Sequence, residues 1–171
     1  MESSNQKLDL LVMGAHPDDA ELGAGATIAK EVSLGKRVGI LDFTRGELGT
    51  RGNAETRDRE SFLAAKLLGV CVRENMNFKD GFFVNDQEHQ LALIQKIRTF
   101  KPEVVICNAV HDRHIDHAKG SKLASDACFL SGLSKIETQD EQGNPQAAWR
   151  PSRVYHMIQW HDLEPDFVVD V

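Results

Sequence analysis

The sequence predicts an α/β fold in which a mostly parallel sheet is flanked by helices. Three nearly continuous apolar runs, LDLLVMGA (8–15), RVGILDFT (37–44) and EVVICNAV (103–110), are typical of strands buried on both faces of such a sheet. Segments with helical spacing of apolar residues separate these runs, as right-handed crossover connections require. We therefore expect one Rossmann-like domain over residues 1–171, with its active site at the carboxyl ends of the strands.

The helical pattern recurs in four segments, which cover residues 20–35, 53–69, 86–102 and 125–136. The first two end at Gly35 and Gly69, a residue type that suits the position after a helix, and the third stops at Pro102. A polar loop follows the fourth segment. The chain then returns to strand-like runs at VYHMIQW (154–160) and DFVVDV (166–171).

Composition excludes several classes of function. The net charge is −6 and the basic residues form no stripe, so nucleic-acid binding is not expected. No apolar run approaches the roughly 20 residues of a membrane span, and the N-terminus lacks the apolar core of a signal peptide. Three cysteines, Cys71, Cys107 and Cys128, have no C-x-x-C spacing and indicate reduced thiols, so we expect a cytoplasmic protein.

The first polar cluster is MGAHPDDAELG (13–23), which directly follows the first predicted strand. Taken alone, it has an ordinary structural interpretation. Asp18 or Asp19 caps the next helix, and His16 is a polar residue with a hydrogen-bond partner. Aspartate is common at helix starts, so this cluster by itself does not separate the structural interpretation from a functional one.

A second cluster, HDRHIDH (111–117), follows the third predicted strand and holds three of the seven histidines of the chain. A solvated loop is the structural alternative. Because carboxyl ends of parallel strands share one edge, both clusters and the loop TRGELGTRG (44–52) are expected to converge there. Histidine and carboxylate ligands favour catalytic zinc with an open water position, although ferrous iron or cobalt accepts the same ligands.

The clusters contain more polar groups than a metal ion needs. Adjacent Asp18 and Asp19 point in different directions, so one of them can bind metal while the other handles a proton. A bound zinc ion lowers the pKa of its water to about 7, which suits hydrolysis of a carbonyl compound. His114 and Asp116 are candidates for a pair that stabilises the developing oxyanion.

These motifs carry a family resemblance. AHPDDAELGAGATIAK and DRHIDH resemble the A-H-P-D-D-x-E and H-x-D-H motifs of the PIG-L/LmbE family of zinc-dependent N-acetylglucosamine deacetylases. The similarity continues through GELGTRG, RDRE, KDGFFVND, SDACFLSGL and PDFVVDV, and so covers essentially the whole chain. It is strongest to members that deacetylate N-acetylglucosaminyl malate in bacillithiol biosynthesis. The resemblance therefore implies a small-molecule N-acetylglucosaminide substrate and, by family analogy, a homo-oligomer.

The resemblance also implies roles for individual residues. It makes His16, Asp19 and His117 the zinc ligands. It makes Asp18 the general base, and His114 the residue that polarises the amide carbonyl and stabilises the oxyanion. Glu21 receives no role beyond that of a carboxylate in the first turn of a helix.

Outside the metal ligands, the resemblance assigns Asp116 to orient the catalytic histidine of its motif. Arg57 matches an arginine that meets the anionic part of the substrate, and Asp80 matches an aspartate that contacts the sugar. Arg113 precedes the second motif and is assigned to the substrate as well, with a surface salt bridge as the open alternative.

Two other functions compete with the enzyme. Family members continue past FVVDV through a further helix and loop that help to close the site, so a metal-binding domain without turnover is one alternative. A nucleotide-binding module is the other. It is disfavoured because GAHPDD places carboxylates where a glycine-rich loop would hold phosphate.

Overall fold

The computed structural model describes residues 7–50 and 52–171. Residues 1–6, where the sequence predicts no signal peptide, and Arg51 of the GELGTRG motif lie outside the described residues. The elements in chain order are β1 (Leu10–Gly14), α1 (Asp19–Ser33), β2 (Val38–Thr44), α2 (Ala54–Leu68), β3 (Val72–Phe78), α3 (Gln87–Phe100), β4 (Val104–Cys107), α4 (Ile115–Leu130) and β5 (Arg153–His156). They form one sheet of order β3-β2-β1-β4-β5 in which all pairs are parallel, so the predicted fold class is confirmed.

The central strands are buried on both faces, as their continuous apolar runs predict. Every residue of β1 and β2 is buried. Leu11 and Phe43 face the core cluster that includes residues of α3 and α4, whereas Val12 and Ile40 face the cluster that includes α1. Alternate side chains thus fill two separate cores, one on each face of the sheet. The sheet is therefore a rigid support for the loops that follow its strands.

Helices α1, α2 and α3 lie within a few residues of their predicted bounds, and their ends follow ordinary capping chemistry. The Asn53 side chain accepts a hydrogen bond from the Thr56 amide at 2.8 Å at the start of α2, and Gly69 ends that helix with φ +72°. Among the described residues, no helix is both long enough and apolar enough to cross a bilayer.

The sheet contains a strand that the sequence pattern did not predict. Four of the seven residues of the β3 segment VRENMNF are polar, as an edge strand tolerates, so the pattern of a doubly buried strand is absent. Val72 and Phe78 pack against the core, whereas Arg73 lies on the other face. Arg73 donates to Asp42 at 2.8 Å and also pairs with Glu21, so Glu21 gains a structural partner.

Helix α4 differs from its prediction at both ends. It covers Ile115–Leu130 instead of 125–136, so it begins inside HDRHIDH, which the pattern treated as a loop. Polar motif residues occupy its first turn and hide the apolar periodicity on which the prediction depended. Beyond Leu130 the backbone leaves the helix, and its carbonyl groups turn toward Arg98 of α3.

Arg98 is 2% exposed, and its guanidinium donates to the carbonyls of Ser131, Leu133 and Ile136 at 2.6–3.1 Å and to the Thr138 hydroxyl at 2.9 Å. Arg98→Met keeps the aliphatic volume and removes these donors. We expect it to lower the free energy of unfolding by about 1–3 kcal/mol for each carbonyl left without a donor or water. Urea denaturation measures the loss.

Lys96→Met on the same helix is the matched control. The Lys96 ammonium pairs with Glu74 at 2.7 Å and Glu141 at 3.0 Å near the surface, where each pair is worth about 1 kcal/mol or less. Equal losses of stability for the two variants would contradict the idea that Arg98 stabilises the segment after α4 through these hydrogen bonds.

The C-terminal part contributes less strand than predicted. VYHMIQW is a strand only over β5, and DFVVDV lies outside the sheet, so the second prediction is wrong. Most of DFVVDV is exposed, although Phe167 packs against Tyr155 with 4.8 Å between ring centroids. Apolar β-branched composition predicts strand propensity, but a strand also needs a paired neighbour, which DFVVDV lacks among the described residues.

Candidate active site

The loops after β1, β2, β3 and β4 meet at one edge of the sheet. From β1 the chain passes to β2 and β3 on one side and then to β4 and β5 on the other, which places the topological switch point between β1 and β4. An open pocket of about 380 Å³ lies there, a size that suits a small molecule. It is lined by His16, Asp18, Asp19, Leu22, Gly46, Leu48, Gly49, Arg57, Asp80, Arg113, His114 and His117. Every predicted site residue except Asp116 therefore faces one pocket, and Asp116 is buried beside it.

The three predicted metal ligands contact one another through Asp19. This residue is the first of α1 and is 4% exposed. Its Oδ1 lies 3.1 Å from His117 Nε2, and its Oδ2 lies 3.6 Å from His16 Nδ1. The Asp19 carboxylate is thus placed between the two imidazoles.

His114 completes a cluster of three imidazoles. One ring nitrogen each of His16, His114 and His117 lies within 4.8 Å of the other two. Three imidazoles beside a buried carboxylate form a donor set that zinc and other divalent transition metals accept. The chemistry of these residues fits a divalent metal ion.

The electrostatics of the cluster are those of a site made for a cation. Burial alone would lower the pKa of His16, but the carboxylates of Asp19, Asp80 and Asp116 raise it to about 9. Burial opposes the ionised form of Asp19, yet His117 and His16 hold its pKa far below its usual range. Asp19 likewise raises the pKa of His117 against the effect of burial. The buried negative charge therefore retains positive charge next to it.

His114 behaves differently from the other two imidazoles. It is the N-cap of α4, and its Nδ1 accepts a hydrogen bond from the Asp116 amide at 3.3 Å. Burial lowers the pKa of His114, and the neighbouring imidazoles of His16 and His117 lower it further. In the neutral ring with Nδ1 as acceptor, the proton is on Nε2, which makes that atom a hydrogen-bond donor.

Asp116 does not have the partner that the sequence suggested. Its carboxylate lies 3.3 Å from His16 Nε2 and accepts the Gly81 amide at 2.8 Å. Only its backbone amide contacts His114. The reason is the helix: Asp116 lies in the first turn of α4, where its backbone N–H reaches the capping side chain while its side chain is directed elsewhere.

The capping interpretation of HPDDAE fails for Asp18. Asp18 occupies the N-cap position of α1, but its side chain makes no capping hydrogen bond within the described residues. It is exposed and lines the pocket instead. An exposed carboxylate beside the cluster of histidines is available to exchange protons with a bound molecule.

Arg57 of α2 reaches the pocket across a glycine-containing loop. A Cβ at Gly46 would lie 2.6 Å from Arg57 Nη1, and one at Gly49 would lie 2.8 Å from Nη2. Gly46 also has φ +62°, which favours glycine. The loop therefore admits the guanidinium only because both positions lack side chains. Arg113 is exposed, with its guanidinium carbon 4.7 Å from the ring centre of Trp160.

Three polar residues support the cluster without having been predicted. Lys119 Nζ lies 2.7 Å from Asp116 Oδ1, and Asp112 Oδ1 lies 3.3 Å from His117 Nδ1. Gln159 Nε2 lies 3.4 Å from Asp19 Oδ1. Lys119 follows Asp116 by three positions on α4, a spacing that could have identified it, whereas nothing in VYHMIQW distinguishes Gln159 as a site residue.

The fold and this donor set define an α/β protein with a candidate divalent-metal site. A family model described as PIG-L, GlcNAc-PI de-N-acetylase, matches residues 11–128, which include both motifs. The uncharacterized deacetylase YaiS of Escherichia coli K12 is 33% identical over an alignment of 134 positions, which covers 75% of this chain and 72% of YaiS. The chain belongs to the PIG-L family.

Two solved structures have a similar fold. The conserved protein TT1542 of Thermus thermophilus has 39% identity and a TM-score of 0.85 over 94% of this chain and 70% of its own. The N,N'-diacetylchitobiose deacetylase of Pyrococcus horikoshii has 25% identity and a TM-score of 0.81 over 94% of this chain and 63% of its own. These comparisons confirm two predictions, the PIG-L family and the enzyme class of N-deacetylases.

Proposed function

We propose that this chain is a zinc-dependent deacetylase that removes the acetyl group from an N-acetylglucosaminide, with N-acetylglucosaminyl malate of bacillithiol biosynthesis as the first candidate. One observation carries the proposal. The carboxylate of Asp18, which makes no capping hydrogen bond to α1 among the described residues, shares an open pocket with the predicted ligands His16, Asp19 and His117. Acetylated sugars are named for the family model and for the Pyrococcus enzyme, which supports this substrate class.

His16, Asp19 and His117 are the proposed ligands of the metal. Their two inward nitrogens, His16 Nδ1 and His117 Nε2, lie on either side of the Asp19 carboxylate. A zinc ion bound there would polarise an amide carbonyl and make water a stronger acid.

Asp18 is the proposed general base. The water oxygen forms a bond to the amide carbon while Asp18 takes one of the water protons. The carbon–nitrogen bond then breaks, and the same proton passes from Asp18 to the departing amine. The other water proton stays on the acetic acid that forms, which ionises to acetate, and acetate and the amine leave the pocket. The exposed position of Asp18 at the pocket wall supports this proton transfer, because its carboxylate can reach a molecule bound in the pocket.

His114 is the proposed donor to the carbonyl oxygen as negative charge develops on it. Its Nδ1 is occupied by the Asp116 amide, which leaves the proton on Nε2. A neutral imidazole can stabilise an oxyanion by donating that hydrogen bond. The backbone of α4 thus sets the tautomer of His114.

Arg57 is the proposed contact for an anionic group on the substrate, such as malate. Its guanidinium has five donors in a planar fork that matches a carboxylate. Arg113 provides a second positive charge on the loop after β4, and the Trp160 ring lies beside it. Two arginines on one pocket favour an anionic aglycone over a neutral one.

Gly49→Ala tests the contact between Arg57 and an anionic substrate. The added Cβ would lie 2.8 Å from Arg57 Nη2, so the guanidinium must move. We expect a higher KM for an anionic N-acetylglucosaminide, with kcat and metal content unchanged. For Arg57→Ala we expect KM to rise by about 10- to 100-fold, the equivalent of a charge-assisted hydrogen bond of about 1.5–3 kcal/mol. The rise for Gly49→Ala should be smaller.

Gly25→Ala in α1 is the matched control, because nothing lies within 4 Å of a Cβ there. Steady-state kinetics with the malate glycoside and with a neutral glycoside measure both variants. An equal rise of KM for the two substrates in Gly49→Ala would exclude the proposed charge contact.

A screen for acetate release tests the proposed activity. The zinc-loaded protein is incubated with N-acetylglucosaminyl malate, N,N'-diacetylchitobiose and free N-acetylglucosamine, and acetate and free amine are quantified. We expect release from the malate glycoside first. Full metal content with no acetate from any substrate would instead favour a metal-binding domain without turnover.

Homo-oligomeric assembly stays a prediction, which size-exclusion chromatography with light scattering tests.

A further inference from the structure

The ring of His16 has different partners on its two nitrogens. His16 Nδ1 faces Asp19, a proposed metal ligand, at 3.6 Å. His16 Nε2, on the other side, is hydrogen-bonded to Asp80 Oδ1 at 3.2 Å and Asp116 Oδ2 at 3.3 Å. Both of these carboxylates are buried, Asp80 at 5% exposure and Asp116 at 0%. The outer nitrogen of the ring is therefore held by two buried carboxylates of the protein.

Asp80 has little free capacity for a substrate. Its Oδ1 contacts His16, and its Oδ2 accepts the Leu48 amide at 2.9 Å. Its own amide donates to Glu47 Oε1 at 2.9 Å. These bonds fasten the loop after β2, which carries Gly46 and Gly49, to the loop after β3 that holds Asp80.

Asp116 is anchored just as firmly. Its Oδ2 accepts the Gly81 amide at 2.8 Å, and its Oδ1 lies 2.7 Å from Lys119 Nζ. The Lys119 ammonium also donates to the carbonyls of Gly81 and Phe83 at 3.0 and 3.2 Å. A cation is thus already supplied on this side of His16.

A second metal ion at the outer nitrogen is the competing explanation, since His16, Asp80 and Asp116 have ligand atoms within 4.8 Å of one another. Backbone amides occupy one oxygen of each carboxylate, and the Lys119 ammonium occupies the other oxygen of Asp116. A divalent ion there would lie close to that ammonium and would compete with the Gly81 amide for Asp116 Oδ2. The three residues therefore hold a ring N–H better than they hold a metal.

We propose that Asp80, together with Asp116, is a positioning residue that holds the Nε2–H of His16 and so keeps the Nδ1 lone pair directed at the metal. This inference rests on the proposed metal site. It gives Asp80 a role other than the sugar contact that the family resemblance implies. Carboxylates behind a ligating histidine fix its tautomer and orientation in metal sites generally. Through Leu48, the same residue also sets the loop against which Arg57 lies.

Zinc affinity of the whole chain, measured by chelator competition after metal removal, tests the role of Asp80. We expect Asp80→Ala to weaken zinc binding by about 10- to 100-fold, the usual effect of losing a carboxylate behind a metal-bound histidine. Asp80→Asn keeps the shape and one acceptor oxygen, so we expect a smaller loss and a native circular dichroism spectrum. The absorption spectrum of the cobalt-loaded variants should change with the geometry of the ligand set.

Asp86→Asn is the matched control. Asp86 Oδ1 lies 2.7 Å from His89 Nδ1, so it is also a carboxylate paired with a histidine, but at the surface, where it caps α3. Asparagine keeps that cap. We expect zinc affinity to match that of the wild type.

Wild-type zinc affinity and cobalt spectrum in both Asp80 variants, with a change in KM alone, would overturn the proposal and restore the sugar contact. Loss of zinc affinity in folded Asp80→Asn and Asp80→Ala supports it. The measurement is independent of turnover. A wild-type protein that binds zinc but releases no acetate therefore refutes the proposed deacetylation without deciding the role of Asp80.

Discussion

Asp18→Asn is expected to lower the rate of acetate release by about 100- to 10,000-fold, the usual contribution of a general base, with the metal content unchanged. The amide of asparagine cannot take a proton from water, yet it has nearly the shape of the carboxylate. Asp18 is exposed at the pocket wall and is not one of the residues in contact with the Asp19 carboxylate. Acetate release and metal analysis on the same preparation measure the two effects.

Asp58→Asn provides the control for a lost surface carboxylate. Asp58 pairs with Arg45, and its side chain is 47% exposed outside the residues that line the pocket. We expect wild-type turnover from this variant. If Asp18→Asn also turned over at the wild-type rate, the assignment of the base would be wrong. If it lost its metal, Asp18 would be a ligand instead.

His117→Ala is expected to abolish tight metal binding and, with it, acetate release. His117 Nε2 lies 3.1 Å from Asp19 Oδ1, and without the ring only two proposed ligands remain. The loss of zinc affinity should exceed the roughly 10- to 100-fold expected for an outer carboxylate. Chelator-treated wild type should show the same inactivity and should recover when one equivalent of zinc is added, whereas His117→Ala should not recover.

His89→Ala is the control for the loss of an imidazole, because His89 pairs with Asp86 at the surface, away from the pocket. We expect it to bind zinc like the wild type. Normal zinc content in His117→Ala would show that the metal uses other ligands, with His16 and His114 as the remaining imidazoles of the cluster.

The extent to which the fold was predictable depended on where each element lies in the sheet. Strands β1 and β2 are covered on both faces, so nearly every side chain had to be apolar and the sequence pattern was unambiguous. Strand β3 is at the edge and carries Arg73 and other polar residues, so the same rule missed it. DFVVDV shows the opposite error, since its apolar composition lacks a paired neighbour among the described residues.

The start of α4 was not predictable from periodicity either. Its first turn consists of motif residues whose types are set by the site, and apolar spacing resumes only further along the helix. This placement has a consequence for function. Because His114 is the N-cap, the Asp116 backbone amide determines which nitrogen of His114 carries the proton.

The sequence by itself determined the parallel α/β class, the edge of the sheet where the loops converge, and the motif residues His16, Asp18, Asp19, His114 and His117 that line the pocket there. Hydrophobic periodicity and strand direction are local properties, and two dense motifs after buried strands were enough to use them. Tertiary structure alone decided the partners: Asp116 against His16, Asp80 between His16 and the Leu48 amide, and Gln159 near Asp19. Such contacts join residues that are 32 to 140 positions apart, and side-chain direction at that range depends on how separate elements pack, which no local pattern encodes.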